Sequence, residues 1–124
     1  MTELTPSEKQ VLDRYTRLLE RELGPALARV WLFGSAARGD MWSRSQPFHS
    51  DIDIVVMTHE PLEPALREGL VKETYPLFLE CGRQIAPQFK TLDELTHPSP
   101  REQAFASRLQ AEGRAIYWSD AANP

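Results

Sequence analysis

Asp51 and Asp53 stand two residues apart in "SDIDIVVM", a segment otherwise made for a β-strand. Successive strand residues point to opposite faces, so both carboxylates share one face and Ile52, Ile54 and Val56 share the other. Like charges at that spacing repel unless a cation lies between them. Such oxygen ligands suit Mg²⁺, which takes one or two protein carboxylates and fills its shell with waters and substrate phosphates. Upstream, the apolar run "ARVWLFG" stops at Gly34 and Ser35. Glycine lets the backbone approach a phosphate, and a serine hydroxyl with the amides of a helix start can donate to its oxygens. Arg38 is placed to add positive charge where negative charge develops. Together these parts suit phosphoryl or nucleotidyl transfer, where catalysis is mostly positioning and electrostatic stabilisation. Two metal ions could then hold the attacking and leaving oxygens in line.

Each residue also has a plainer role. A lone D-x-D is an ordinary solvent-facing strand start, a lone serine is commonly a helix cap, and Gly34 would serve any tight turn. Arg38 could equally form a structural salt bridge. The functional reading rests on the combination. Gly39-Asp40 reads as a turn, and Ser50 as a residue that caps or orients the Asp51 strand. His49, His59 and His97 have neither metal-ligand spacing nor a nucleophile partner and read as surface residues. Cys81 lacks a neighbouring basic cluster and reads as packing. Trp31 reads as core. Trp42 and Phe48 suit either a partner or base contact or a loop folding back on itself.

The elements that must position this constellation follow from pattern. Thr5 and Glu8 have capping-box spacing, Pro6 suits the first helical position, and apolar residues from Val11 to Leu23 recur at helical spacing, predicting a helix over about 6–23. "ARVWLFG" predicts a buried strand, the stretch 35–50 a loop with a helical turn near Ser35–Arg38, and "SDIDIVVM" a second strand. Residues 62–80 read as helical, with Leu62, Leu66, Leu70 and Val71 on one face and with Gly69 and Pro76 as interruptions. "RQIAPQF" predicts a third strand, which Pro87 consigns to a sheet edge or bulge. A last helix is expected from Ser99 to about Ala111, and the tail "RAIYW" adds a strand or packs back on the sheet. The order gives an α/β (α+β) domain.

Gly34-Ser35-Ala36-Ala37-Arg38-Gly39 followed by Ser50-Asp51-Ile52-Asp53 resembles the G-S-x-A-R-G … S-D-x-D signature of the polymerase-beta-like nucleotidyltransferases, and most of all their minimal nucleotidyltransferase (MNT) group. The resemblance is strong over the motif and looser over about residues 8–118. It implies a small mixed sheet flanked by helices, Mg²⁺, and ATP or another NTP whose nucleoside monophosphate is joined to a hydroxyl. Many such proteins are encoded beside a HEPN-domain toxin and act as its antitoxin, some by adenylylating a tyrosine on it. Carried onto this chain, Gly34, Ser35, Arg38 and Ser50 hold the nucleotide, and Asp51 and Asp53 hold metal and act in catalysis. A HEPN-type toxin, another protein or a second copy is the expected partner.

Two departures stand out. Fifteen residues separate Ser35 from Asp51, more than is usual in that group; the excess, "MWSRSQPFH", falls in a loop where insertion is cheap. Second, the family's third carboxylate sits in the next strand, here "QIAPQFK". With Ile85 and Phe89 in the core, Gln84, Ala86 and Gln88 face the site, and Ala86 stands where the acid is expected. Losing a general base costs about 10²–10⁴-fold. Glu80 or Glu94 are the acids from neighbouring elements that could stand in. A degenerate module that neutralises a partner by contact alone is therefore the main alternative, and a transferase for a small hydroxylated molecule such as an aminoglycoside a lesser one.

At 124 residues the chain is expected to form one domain, 1–124. Its 41% hydrophobic and 26% charged residues are ordinary for a globular protein. A net charge of −4 and a pI of about 5.4 give no support to direct nucleic-acid binding, which rests on clustered Lys and Arg. The single cysteine excludes an intrachain disulfide and suits a reducing compartment. "MTELTPSEKQ" lacks the features of a signal peptide, and no apolar run approaches a membrane span. A cytoplasmic location away from membranes is the expectation.

Overall fold

The computed structural model of the chain describes residues 4–34 and 51–118. Helix α1 (Pro6–Leu23) begins where its sequence signals place it. The Glu8 backbone N–H donates to Thr5 Oγ1 at 3.1 Å and the Thr5 N–H donates to Glu8 Oε1 at 2.9 Å, closing the capping box. Val11, Leu12, Tyr15, Leu19 and Leu23 form its buried stripe, and the Tyr15 hydroxyl donates to the Leu70 carbonyl at 2.8 Å.

A 3₁₀ turn (Gly24–Ala26) leads into β1 (Leu27–Phe33). Three further strands follow: β2 (Ile52–Thr58), β3 (Ile85–Thr91) and β4 (Arg114–Trp118). They form one sheet in the order β3-β2-β1-β4, with β2 parallel to β3 and antiparallel pairing elsewhere. The architecture is the expected α/β fold, a small mixed sheet flanked by helices. The tail does add a strand, β4. Pro87 lies on an edge strand, where its missing N–H breaks no ladder.

Between β2 and β3 the chain forms two helices, α2 (Pro64–Lys72) and α3 (Thr74–Cys81), instead of one over 62–80. Pro76 explains the restart. Inside a continuous helix its ring would clash with the carbonyl four residues earlier, whereas in the first turn its missing N–H has no intrahelical partner to lose. The expected apolar face holds only in part: Leu70 is buried and Leu62 packs on the core, but Leu66 and Val71 are exposed.

A short helix, α4 (Leu92–Thr96), directly follows β3 and is absent from the sequence-based order. Its signal was present as a capping box between Thr91 and Glu94. The last helix, α5 (Gln103–Glu112), starts later than Ser99. Ser99 and Glu102 instead close a turn, the Glu102 N–H donating to the Ser99 carbonyl at 2.9 Å.

Both faces of the sheet are packed. On one, Val30, Leu32, Ile52, Ile54, Val56 and Ile85 join the α1 stripe, Leu70 and Leu77. On the other, Val55 and Met57 pack with Leu109, flanked by Trp31, Phe33, Leu92, Leu95 and Phe105. Trp31, expected in the core, is thus half-buried in this second cluster, held against Gly113, where an added Cβ would meet its Cε3 at 2.6 Å. No helix among the described residues is long and apolar enough to cross a membrane.

Candidate active site

The first strand pair delivers the constellation. Phe33, the last residue of β1, pairs with Asp53 near the start of β2, so Gly34 leaves the sheet directly beside the carboxylate. Gly34 has a φ of +74°, a conformation other residues adopt only at a cost of roughly 1–2 kcal/mol. An added Cβ would lie 2.8 Å from Asp53 Oδ2. Glycine is therefore required twice, by its own backbone and by the acid it adjoins. Asp51 is exposed just before β2 and Asp53 is half-buried within it, on the same face as Phe33 and Val55.

Burial raises the Asp53 carboxyl above its ordinary value, and the charge of Asp51 adds to the shift, while Arg83 opposes it. Two carboxylates on one face, one of them resisting ionisation, form a pair short of positive charge. A divalent cation would supply it.

Gly34, Asp51 and Asp53 are thus brought together as the spacing predicts. Ser35, Arg38 and Ser50 lie outside the described residues, as do Trp42, Phe48, His49 and the rest of the 35–50 loop. His59 and His97 are exposed. Cys81 packs against the core, and its Sγ bonds to the Arg83 backbone.

Strand β3 settles which side chain stands beside the acids. Ala86 pairs with Asp53 in parallel register, while Ile85 and Phe89 turn to the opposite, core face. Gln88 is exposed on the Ala86 face. Gln84 departs from expectation: its amide Nε2 donates to Thr74 Oγ1 on α3 at 2.7 Å and to the Ile85 carbonyl at 2.8 Å. Neither proposed substitute acid reaches the site. Glu80 accepts from Arg14 on the outer surface at 2.7 Å, and the Glu94 carboxylate is occupied by the Thr91 N–H in the α4 cap. Among the described residues, no group of three or more His, Cys, Asp or Glu side chains could hold a metal ion.

Arg83 is a charged residue near the acids that pattern alone does not place there. It is buried just before β3, and its Nη1 lies 3.5 Å from Glu8 Oε2, also buried. Buried ion pairs are expensive to desolvate, and this one places fixed positive charge where Asp53 feels it. The available signal was a basic residue two positions before the strand that flanks the acid-bearing one.

The nucleotidyltransferase domain family model matches residues 15–109, spanning this geometry. The chain belongs to that family. By sequence, no curated protein matches it. Among solved structures, a chain of a toxin–antitoxin complex crystallised with AMP-PNP is similar, with a TM-score of 0.56 and 21% identity over 87% of this chain and 74% of that one. So is a chain of the tri-AMPylated Shewanella oneidensis HEPN toxin in complex with MNT antitoxin, with a TM-score of 0.54, 19% identity, and 90% and 72% coverage. An Enterococcus spectinomycin adenyltransferase solved with ATP and spectinomycin gives a TM-score of 0.63 at 19% identity, over 91% of this chain and 57% of that protein. At these identities the likeness is one of fold.

A substitution at Gly34 tests the site's construction. The atom in the way is the end of the Asp53 side chain, which can move, so Gly34→Ala displaces the carboxylate more than it unsettles the sheet. Stability is expected to fall by about 1–2 kcal/mol from the backbone conformation. Nucleotide transfer is expected to fall by about 10²-fold, the usual scale for a misplacement of about 1 Å. Urea unfolding and a transfer assay on the same preparation separate the two effects.

Proposed function

We propose that this member of the nucleotidyltransferase family transfers AMP from ATP to a hydroxyl on a partner protein, as the antitoxin of a toxin–antitoxin pair. The observation that carries this reading is the apposition of Gly34 and Asp53 across the β1–β2 pair, which sets a backbone that a phosphate could approach beside a carboxylate suited to a divalent cation. It is supported by the fold likeness to toxin–antitoxin chains, one crystallised with AMP-PNP and another with an AMPylated HEPN toxin. In this reading the acceptor oxygen bonds to the α-phosphorus, the bond to the β-phosphate bridging oxygen breaks, and pyrophosphate leaves. Gly34, with Ser35 and Arg38, holds the β- and γ-phosphates. Asp51 and Asp53 fit one Mg²⁺, which when bound would offset the charge on the phosphates. With Ala86 beside Asp53, the described residues offer no third carboxylate for a second ion or for taking the acceptor proton.

That same alanine favours a second reading, a nucleotidyltransferase fold that binds its partner without transfer. A third, transfer to a small hydroxylated molecule, draws on the spectinomycin enzyme, of whose length this chain spans 57%. One experiment separates the three. The protein is incubated with Mg²⁺ and α-³²P-ATP, alone, with the product of the adjacent gene, or with an aminoglycoside panel. Label on the partner protein supports the proposal, and label on an antibiotic replaces it with the third reading. A stable complex that never acquires label replaces it with the second.

A further inference from the structure

The sheet end that carries the acids also adjoins a buried ion pair. Arg83 lies two residues before β3 and Glu8 in the first turn of α1. Their side chains are 8% and 10% exposed, with Arg83 Nη1 3.5 Å from Glu8 Oε2. Both members are held in place. The other carboxylate oxygen of Glu8 accepts from the Thr5 N–H at 2.9 Å in the α1 capping box. Cys81 Sγ accepts from the Arg83 N–H at 3.4 Å and donates to the Arg83 carbonyl at 3.3 Å. One residue on, the Gln84 carbonyl accepts from the Ile52 N–H at 2.8 Å, which ties the approach to β3 to the residue between Asp51 and Asp53.

Both side chains of the pair are withdrawn from solvent, so neither is built to touch a nucleotide. What the pair delivers to the site is charge. Burial and Asp51 both oppose the negative charge on Asp53, and Arg83 favours it. A fixed cation in that position acts in two ways. It steadies the two like charges before a metal ion arrives, and it repels the metal ion when one does. Glu8, which holds the guanidinium from α1, offsets part of that repulsion.

We propose that the buried Glu8–Arg83 pair sets the divalent-cation affinity of Asp51 and Asp53 through its charges, Arg83 lowering it and Glu8 raising it. The inference rests on the reading of Asp51 and Asp53 as the cation ligands. Both residues act through Asp53, and neither is a catalytic residue. A pair with only a structural role behaves differently. Removing either partner leaves the other buried and alone, so both substitutions would loosen the junction of α1 with β3 and weaken cation binding. The direction of the two effects therefore separates charge from architecture.

The test titrates Mn²⁺ into the protein at pH 8 and follows the free ion by its electron paramagnetic resonance signal. Arg83→Met is expected to tighten binding by at least about 5-fold, and Glu8→Gln to weaken it by at least about 2-fold. Glutamine keeps the α1 capping box, so that variant loses charge and not the cap. Arg83→Lys keeps the charge and should keep the wild-type affinity. Circular dichroism shows which variants fold. The double variant Glu8→Gln, Arg83→Met leaves no buried charge unpaired and is the one that folds most readily. It should bind Mn²⁺ more tightly than the wild type but less tightly than Arg83→Met alone, because Arg83 is the member that Asp53 feels. Single variants that both weaken binding, or that leave it unchanged, overturn the proposal. If the single variants do not fold, a double variant that binds no more tightly than the wild type overturns it. Asp53→Asn tests the reading underneath: Mn²⁺ held as tightly by that variant removes the cation ligands and the proposal with them. Binding that Asp53→Asn abolishes, while the Glu8 and Arg83 variants leave it unmoved, overturns the proposal alone.

Discussion

Asp53→Asn is expected to abolish nucleotide transfer and to raise the melting temperature. The loss follows from position. Asp53 is the acid beside the Gly34 turn, so in the proposed reaction it would set where cation and phosphates sit, and removing such electrostatic stabilisation costs at least about 10²-fold. The gain follows from the raised Asp53 carboxyl, which burial causes first and Asp51 second. A carboxyl whose pKa is higher in the folded state favours folding when protonated, so near pH 7 its ionised form is a net cost. That cost disappears as pH falls through the raised folded value toward the ordinary carboxylate range. Asparagine has the same shape and is neutral throughout. At pH 7 the variant should melt above the wild type, and the gap should close as the pH is lowered toward 4. A residue that lowers stability in order to act is a common feature of active sites. Magnesium and a non-hydrolysable ATP analogue should reverse the ranking: at about 100 times Kd, bound ligand adds about 2.7 kcal/mol to the wild type, EDTA removes most of it, and the variant gains much less. Transfer that survives the substitution would remove Asp53 from the site. Lost transfer with a lowered melting temperature would make it a structural residue.

What pattern conveys and what it omits divide along a physical line. The β1 ending, Gly34 and the two aspartates are legible because period-two alternation and the demand for glycine are local properties. The α1 capping box is equally local, and the Thr91–Glu94 box that starts α4 could have been read the same way. The break at Glu73 was half visible in Pro76. Arg83 was not, because its meaning comes from Glu8 on a distant helix and from Asp53 on a neighbouring strand, contacts created only by tertiary packing. The course of Gln84 toward Thr74 is similar: alternation assigns a side chain at a strand entrance to a face, but a nearby hydroxyl can override it. Nor does periodicity show that α4 and α5 pack on the acid-bearing face, around Val55 and Met57.

Ala86→Asp is expected to increase transfer. The register places residue 86 directly against Asp53, on the acid-bearing face of an edge strand, so a carboxylate there would join Asp51 and Asp53 without displacing core side chains. If the wild type lacks a group to take the proton from the acceptor hydroxyl, restoring one should raise kcat by about 10²-fold, the lower end of what general bases contribute. The same change adds a third negative charge to a pair already short of positive charge, so without divalent cation the variant should melt below the wild type, and added Mg²⁺ or Mn²⁺ should recover the difference. Ala86→Asn is the control, because it adds similar bulk but neither charge nor basicity and should leave transfer unchanged. A wild type that already labels its partner rapidly, with Ala86→Asp giving no gain, would mean that the acceptor proton leaves by another route, either to a phosphate oxygen of the nucleotide or to a carboxylate presented by the partner. These two routes part under a partner variant stripped of acids near the labelled hydroxyl: loss of transfer restored by Ala86→Asp would assign the missing carboxylate to the partner, and the site would then be one completed only by the complex.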